Sequence, residues 1–294
     1  MKLHLLIAYS NQKRDDTMTQ SLSPQPDLAT IKAKMKITWE DGDYADFARY
    51  MESGAKEILD GWQLPSGKLL LDIGCGAGQT AIPAARRGLH VTGIDIASNL
   101  VESAKRRARN EGISVRFDEG DAEALPYANA SFNLVISLIG VMFAPRPELV
   151  CSEIARVLHP GGGLHMANWT SRSMPTQIFK AVTAVVPPPP GVAPPGLWGD
   201  EDTVRERLDT EFTDIELRRI NYPQWHYPFD AGRLTELFRS HFGPVKRAFD
   251  MADKQKAQQL FKQLQDIFDD HGEYDGKTLT ITRGELLLVS AKRC

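Results

Sequence analysis

Apolar runs and amphipathic stretches alternate along residues 43–168. Asp43 to Trp62 carries a helical spacing, and the continuous run Leu69-Leu70-Leu71-Asp72-Ile73 reads as a strand buried on both faces. The pattern next predicts a helix from about Ala77 to Arg87 and a strand over His90-Val91-Thr92-Gly93-Ile94-Asp95. A further helix buries Val101, Ala104 and Ala108 at +3 and +4 spacing. Strands are expected near Ile113 to Phe117 and over Phe132 to Leu138. A helix from Glu148 to Leu158 follows, ended by Gly161-Gly162-Gly163, and the strand Leu164 to Trp169 closes the series. Repeating βα units with short connections predict a parallel, doubly wound α/β sheet with helices on both faces.

Beyond Trp169 the pattern changes. Six of the eighteen prolines fall between Pro187 and Pro195, a run that excludes helix and central strand. A stiff extended connector is the commoner meaning of such a run, and a polyproline recognition ligand is the alternative. Phe212 to Tyr222 resembles a strand, and Leu260, Phe261, Leu264, Ile267 and Phe268 share one face of an amphipathic helix. Leu279 to Ala291 is strand-like, interrupted at Gly284. The expected division is a tail over residues 1–37, a cofactor-binding core over 38–172, and 173–294 as cap helices plus the last strands of the same sheet. The opening Met1 to Ala8 is too short an apolar run for a signal peptide, and Met18 could equally begin the chain.

Composition narrows the function classes. With 42% hydrophobic and 25% charged residues, the chain is neither disordered, collagen-like nor a coiled coil. A net charge of -3 argues against a general nucleic-acid binder, and the cluster Lys105, Arg106, Arg107 and Arg109 reads as the solvated face of its helix. The odd, scattered Cys75, Cys151 and Cys294 suit a reducing cytosol, so a cytoplasmic protein is expected. No stretch approaches the roughly 18 apolar residues of a membrane span. No His, Cys, Asp and Glu cluster has metal-ligand spacing, so metal-independent chemistry is expected.

The informative segment is Leu71-Asp72-Ile73-Gly74-Cys75-Gly76-Ala77-Gly78-Gln79-Thr80. Glycines there allow a tight turn and close approach of a ligand. A dinucleotide fingerprint needs a small residue five after its first glycine, where this chain has Gln79. Asp72, two residues before the loop, would repel a pyrophosphate but favour an ammonium or sulfonium. Asp95 closes the second strand, where a carboxylate can accept both hydroxyls of a ribose. Singly, Asp72 could cap the loop and Asp95 could N-cap the next helix; together, flanking one glycine loop, they point to a ligand. Asp121, in Gly120-Asp121-Ala122-Glu123, is placed either to accept from an adenine amino group or to cap a short helix.

In order, Trp39 with Gly42-Asp43-Tyr44, the Leu71 to Gly78 loop, Gly93-Ile94-Asp95, Gly120 to Pro126, Gly140 to Pro145, Arg156 to Gly162, Ala167 to Thr170, Leu197 to Asp200 and Phe238 to Pro244 form a series. That series resembles the class I S-adenosylmethionine-dependent methyltransferases. More narrowly it is similar to the bacterial small-molecule branch grouped with the ubiquinone/menaquinone-biosynthesis (UbiE-like) enzymes. The resemblance implies a Rossmann-like fold with a mostly parallel seven-stranded sheet and a C-terminal helical cap. It implies that Gly74, Cys75 and Gly76 pack on the methionine portion of the cofactor, with Asp72 at its ammonium. Asp95 and Ile96 would meet the ribose and adenine, Asp121 and Ala122 the adenine edge, Ser137 and Leu138 the methionine side near the sulfonium, and Tyr44 would cover the cofactor.

The implied reaction is in-line methyl transfer from S-adenosylmethionine, leaving S-adenosylhomocysteine, to an aromatic, quinol-like or heterocyclic small molecule. Candidate acceptor contacts are Phe143, Trp169, Trp198, Arg239 and His241; the family's Tyr-like position before Phe242 is His241 here. His165, His226 and His241 are the candidate bases, with Tyr222 and Tyr227 as polar liners and Trp225 in the aromatic set, and none is singled out. Two other readings stand beside this one: a non-catalytic S-adenosylmethionine-binding regulator, and an NAD-dependent oxidoreductase, which Gln79 and Asp72 disfavour.

Overall fold

The computed structural model describes residues 27–189 and 191–294; Met1 to Ala8, Met18 and the tail up to residue 26 lie outside the described residues. The first helix, α1 (Leu28–Glu40), opens on Asp27, whose carboxylate accepts from the Ala29 N–H at 3.1 Å. Residues 28–37, expected as tail, are therefore helical. Their periodicity is faint because only Ile31 is buried, while Lys32, Met35 and Trp39 face a cavity instead of a core. The single helix expected from Asp43 to Trp62 is broken into α2 (Tyr44–Ala48), a 3-10 turn and α3 (Glu52–Gly61).

The βα series then runs β1 (Leu69–Ile73), α4 (Ala81–Arg86), β2 (His90–Asp95), α5 (Ser98–Asn110), β3 (Arg116–Glu119), β4 (Phe132–Leu138), α6 (Pro147–Val157) and β5 (Leu158–Trp169). Helix α4 starts later than expected because Gly74, Gly76 and Gly78 sit at φ +71, +53 and +84°, a left-handed path no helix can follow. The strand expected from Ile113 lies a little further on, at β3. Gly161-Gly162-Gly163 does not end α6. Leu158 caps that helix in extended conformation, and the glycines lie inside β5, where its register against β4 shifts.

After α7 (Met174–Val185) and α8 (Glu201–Leu208) comes β6 (Phe212–Asn221), and the chain ends with β10 (Glu285–Arg293). Between them lie β7 (His226–Tyr227), α9 (Ala231–His241), α10 (Gly243–Met251), α11 (Lys254–His271), β8 (Gly272–Tyr274) and β9 (Leu279–Ile281). The main sheet has seven strands in the order β3-β2-β1-β4-β5-β10-β6. All neighbours are parallel except β10, which is antiparallel to both β5 and β6. This is the Rossmann-like class I methyltransferase arrangement.

Leu279 to Ala291 is thus two strands in two sheets, because β9 pairs with β7 and β8 in a separate three-stranded sheet. The chain crosses between the sheets at Gly284, whose carbonyl accepts from the Tyr222 N–H at 2.7 Å and where a Cβ would lie 2.8 Å from the Trp225 ring. Residues 222–284 are consequently an insertion between two neighbouring strands. Their helices pack on one another and on α7 at the carboxyl edge of the sheet.

Candidate cofactor and acceptor site

Strand order reverses between β1 and β4, and a crevice opens at their carboxyl ends, the switch point at which ligands bind such sheets. Its floor depends on two glycines meeting across the strands: a Cβ on Gly74 would lie 2.6 Å from Gly140 Cα, and one on Gly140 would lie 2.5 Å from the Ile73 carbonyl oxygen. Gly140 therefore belongs to the same device as the loop, although it sits 66 residues from it. Between Leu138 and Gly140, Ile139 is held at φ +60°, which is strained for a β-branched residue and costs about 1–3 kcal/mol.

The crevice, about 1150 Å³ and open to solvent, is lined by Tyr44, Gly74, Cys75, Gly76, Asp95, Ile96, Asp121, Ala122, Leu138 and Phe143 from the expected set. Asp95 Oδ2 accepts from the Gly76 N–H at 2.8 Å and Oδ1 from the Ala97 N–H at 2.9 Å. It braces loop and turn while keeping both oxygens at the crevice wall. Burial pushes its carboxyl pKa up. Tyr44 lies opposite, and burial together with the Asp95 charge pushes its phenol up to about 12.

Asp72 and Ser137 do not line the crevice. Asp72 is 1% exposed behind the loop; its Oδ2 accepts from the Thr80 hydroxyl, and its Oδ1 has no partner. Burial, with a contribution from Asp95, raises its pKa to about 7. Ser137 is fully buried because strand alternation turns it inward: its hydroxyl donates to the Ile73 carbonyl at 2.7 Å and accepts from the Val141 N–H at 3.0 Å. It pins the floor and does not form a wall.

Asp121 caps a turn in place of a helix, and its second oxygen is taken by a lysine. Its Oδ1 accepts from the Glu123 N–H at 2.9 Å, and its Oδ2 pairs with Lys32 of α1 at 2.5 Å. Lys32 also reaches the buried Glu123 at 2.6 Å, which Arg146 holds from the other side at 2.9 Å. Trp39 belongs to the resemblance without a role assigned to it, and Lys32 and Met35 are not among the expected residues; the signal for them is the Asp27 cap ahead of a segment ending in that tryptophan.

A second, smaller chamber adjoins the crevice and shares Trp39, Tyr44, Met51, Ile139 and Phe143 with it. Trp169, Trp225, Phe179, Phe238 and Phe242 complete its walls. Trp169 and Trp225 stack with centroids 5.4 Å apart, and Trp39 lies 4.9 Å from Phe143. Of the other proposed acceptor contacts, Trp198 is fully buried under the Arg207 guanidinium, 4.7 Å from its ring, and lines neither space. Arg239 is exposed and lies over Phe249 at 5.1 Å. His241 turns to Asp46 at 3.5 Å and to the Ser240 hydroxyl at 2.7 Å.

The remaining candidate bases are also elsewhere. His165 bonds Ser290 in a groove at another part of the sheet, where burial pushes its pKa down to about 4; His226 is exposed beside Thr280. Tyr222 lines the crevice but donates to the Met51 carbonyl at 2.7 Å, and Tyr227 is buried beneath Trp225, accepting from its indole N–H. Among the described residues no cluster of three or more His, Cys, Asp and Glu could hold a metal ion, and no helix is long and apolar enough to cross a membrane.

Comparison with known proteins gives the family. The family described as Methyltransferase domain matches residues 71–166, which span the loop and the strand-end acids. An uncharacterised protein of Mycobacterium tuberculosis is 33% identical over 215 residues, 72% of this chain and 77% of that protein. The chain belongs to the class I S-adenosylmethionine-dependent methyltransferases. The 27-O-demethylrifamycin SV methyltransferase of Amycolatopsis mediterranei is 37% identical over 146 residues, 49% of this chain and 47% of its own. Phosphoethanolamine N-methyltransferase 2 of Haemonchus contortus, solved with S-adenosylhomocysteine, shares the fold at 20% identity with a TM-score of 0.52, covering 81% of this chain and 52% of that one.

The methyltransferase's own residues fit that cofactor. Asp72 Oδ1, behind the loop and off the crevice wall, is a buried acceptor with no hydrogen-bond partner, which an ammonium group would satisfy from across the loop, directly or through a water. Gly76 leaves a bare Cα at the crevice; a Cβ there would come within 3.1 Å of Gln79 Oε1 and 3.8 Å of Tyr44, filling the space over the loop. Phosphates have no such welcome, since the crevice walls carry Asp95 and Asp121, and the one cation lining them among the described residues, Lys32, is already paired.

Proposed function

We propose that the enzyme transfers the methyl group of S-adenosylmethionine to a flat, largely apolar small molecule, aromatic, quinol-like or heterocyclic, by metal-independent in-line displacement. The observation that carries this reading is the aromatic chamber joined to the crevice through Tyr44, Met51 and Phe143. Its walls bury rings well and offer little to a charged or strongly hydrated acceptor. The Amycolatopsis relative, which by its name acts on 27-O-demethylrifamycin SV, supports a small-molecule acceptor. The ordered motifs keep the chain with the UbiE-like branch in this reading.

In the same reading Asp95 takes the ribose diol, Ile96 and Ala122 flank the adenine, and Asp121 takes its amino group. Asp72 takes the methionine ammonium, and Gly74, Cys75 and Gly76 pack along that end, with Leu138 toward the sulfur. S-adenosylmethionine, when bound, supplies an already activated methyl on a sulfonium. The protein's contribution is to hold the acceptor collinear with it in a dry space, an effect worth roughly 7–11 kcal/mol of barrier. Among the described residues Tyr44 is the one titratable side chain on the chamber wall, and its high pKa makes it a poor base. The reading therefore assigns no side-chain base.

Incubation with methyl-labelled S-adenosylmethionine and a panel of phenols, quinols and heterocyclic amines tests this reading. Label is expected in at least one such acceptor and not in phosphorylated or polyanionic controls. Label confined to the controls, or to none of the panel, would overturn the acceptor class.

A further inference from the structure

Gln79 separates this loop from a dinucleotide fingerprint, and no role described so far uses it. Its side chain lines the crevice with Oε1 over Gly76, and the other end of the same amide, Nε2, is buried without a hydrogen-bond partner. Buried amide donors in folded proteins are nearly always matched, so an unmatched one at a cavity wall marks a missing acceptor.

The methionine end of S-adenosylmethionine brings an ammonium and a carboxylate. Asp72 Oδ1 answers the first. For the second, the charged side chains lining the crevice among the described residues are Lys32, Asp95 and Asp121. Lys32 is engaged by Asp121 and Glu123, so no free cation faces the carboxylate. The Thr80 hydroxyl donates to Asp72, and the Tyr222 hydroxyl donates to Met51. The Tyr44 ring also lies over Gly76, and its phenol feels the Asp95 charge. Helix α4 is six residues long and gives little N-terminal field.

We propose that Gln79 Nε2 is the donor to the carboxylate of the bound cofactor, forming with Asp72 a matched pair for the methionine zwitterion. This inference rests on the S-adenosylmethionine reading of the crevice. It makes Gln79 a binding residue, and it accounts for a long amide where a dinucleotide binder needs a small side chain.

The test is calorimetry on the full chain with two ligands. One is S-adenosylhomocysteine; the other is its decarboxylated analogue, S-adenosyl-3-thiopropylamine, which keeps the amine and lacks only the carboxylate. Gln79→Leu should weaken S-adenosylhomocysteine roughly tenfold or more, the effect of losing a hydrogen bond to a charged group, while the analogue changes by less than about twofold. Gln79→Glu should weaken S-adenosylhomocysteine further and leave the analogue bound at least as well. The thermal midpoint of ligand-free Gln79→Leu should not fall, because no protein hydrogen bond is lost. Equal weakening of both ligands, or none for S-adenosylhomocysteine, overturns the assignment of Gln79. Failure of S-adenosylhomocysteine to bind the wild-type chain overturns the cofactor reading itself.

Discussion

The two halves of the site are built by different means. The crevice is made mainly by backbone: a glycine loop and two abutting glycines, with Asp95 fixed at the end of β2 and Asp72 of β1 behind the loop. The aromatic chamber is made by side chains from Trp39 to Phe242, gathered from α1, α2, β5, α7, α9 and the turns between them. Backbone geometry recurs wherever the same ligand is bound, whereas a wall of side chains can be exchanged without disturbing the sheet. Cofactor binding and acceptor choice should therefore separate cleanly under mutation.

The largest effect should come from Asp95. Its carboxylate carries two backbone hydrogen bonds, at 2.8 and 2.9 Å, and in our reading the ribose diol as well. Asp95→Ala should reduce S-adenosylhomocysteine affinity by roughly a hundredfold or more, since charged hydrogen bonds are worth about 1.5–3 kcal/mol each. Unchanged binding by calorimetry would place the ribose elsewhere.

The next effect sharpens the crevice side of the comparison through pH. Burial raises the Asp72 pKa to about 7, so at pH 6 the ligand-free pocket holds mostly the neutral acid. An ammonium group favours the carboxylate, and binding then releases a proton. Affinity should fall by up to about tenfold per unit as pH drops below 7 and level off above it. Asp72→Asn should flatten that profile. The same shift acts on stability with the opposite preference. Because the folded-state pKa lies above the unfolded one, the folded chain binds the extra proton between about pH 4 and 7. The Asp72 contribution to stability therefore declines as pH rises through that window.

On the chamber side, Phe179→Leu keeps an apolar side chain on the wall while changing its shape. The acceptor KM should rise by about three- to tenfold, in line with roughly 1 kcal/mol for a lost aromatic contact, with cofactor affinity untouched. If both ligands weaken together, the two spaces are not independent and the comparison fails.

How much of this was readable beforehand follows the same division. Leu69 to Ile73 and Phe132 to Leu138 stand out as strands because burial on both faces makes them continuously apolar. Asp72, the loop glycines, Asp95 and Asp121 stand out because their spacing is set by the strand ends they occupy. Helix α1 does not, since the face that should reveal it carries Lys32, Met35 and Trp39 toward a cavity. Phe179 and Phe238 look like any amphipathic helix residues, and only the insertion of residues 222–284 between β6 and β10 brings helix α9 over the crevice edge. Trp198 shows the converse error: a tryptophan in a recognisable motif that the fold buries under Arg207.

His241 gives the smallest and most discriminating prediction. It stands at a position where the resemblance implies a substrate contact, yet its imidazole faces Asp46 at 3.5 Å and Ser240 at 2.7 Å, and it lines neither space. What the site uses is the His241 backbone, whose carbonyl accepts from the Asp43 N–H at 3.1 Å and so ties α9 to the start of α2 beside Tyr44. His241→Ala preserves that carbonyl and removes only a partly exposed pair worth less than about 1 kcal/mol. Acceptor KM and kcat should each stay within about twofold of wild type, and the pH–rate profile should not move. A loss of tenfold or more in kcat, or a shifted acid limb, would mean that His241 turns inward during turnover and that the chamber does recruit a base.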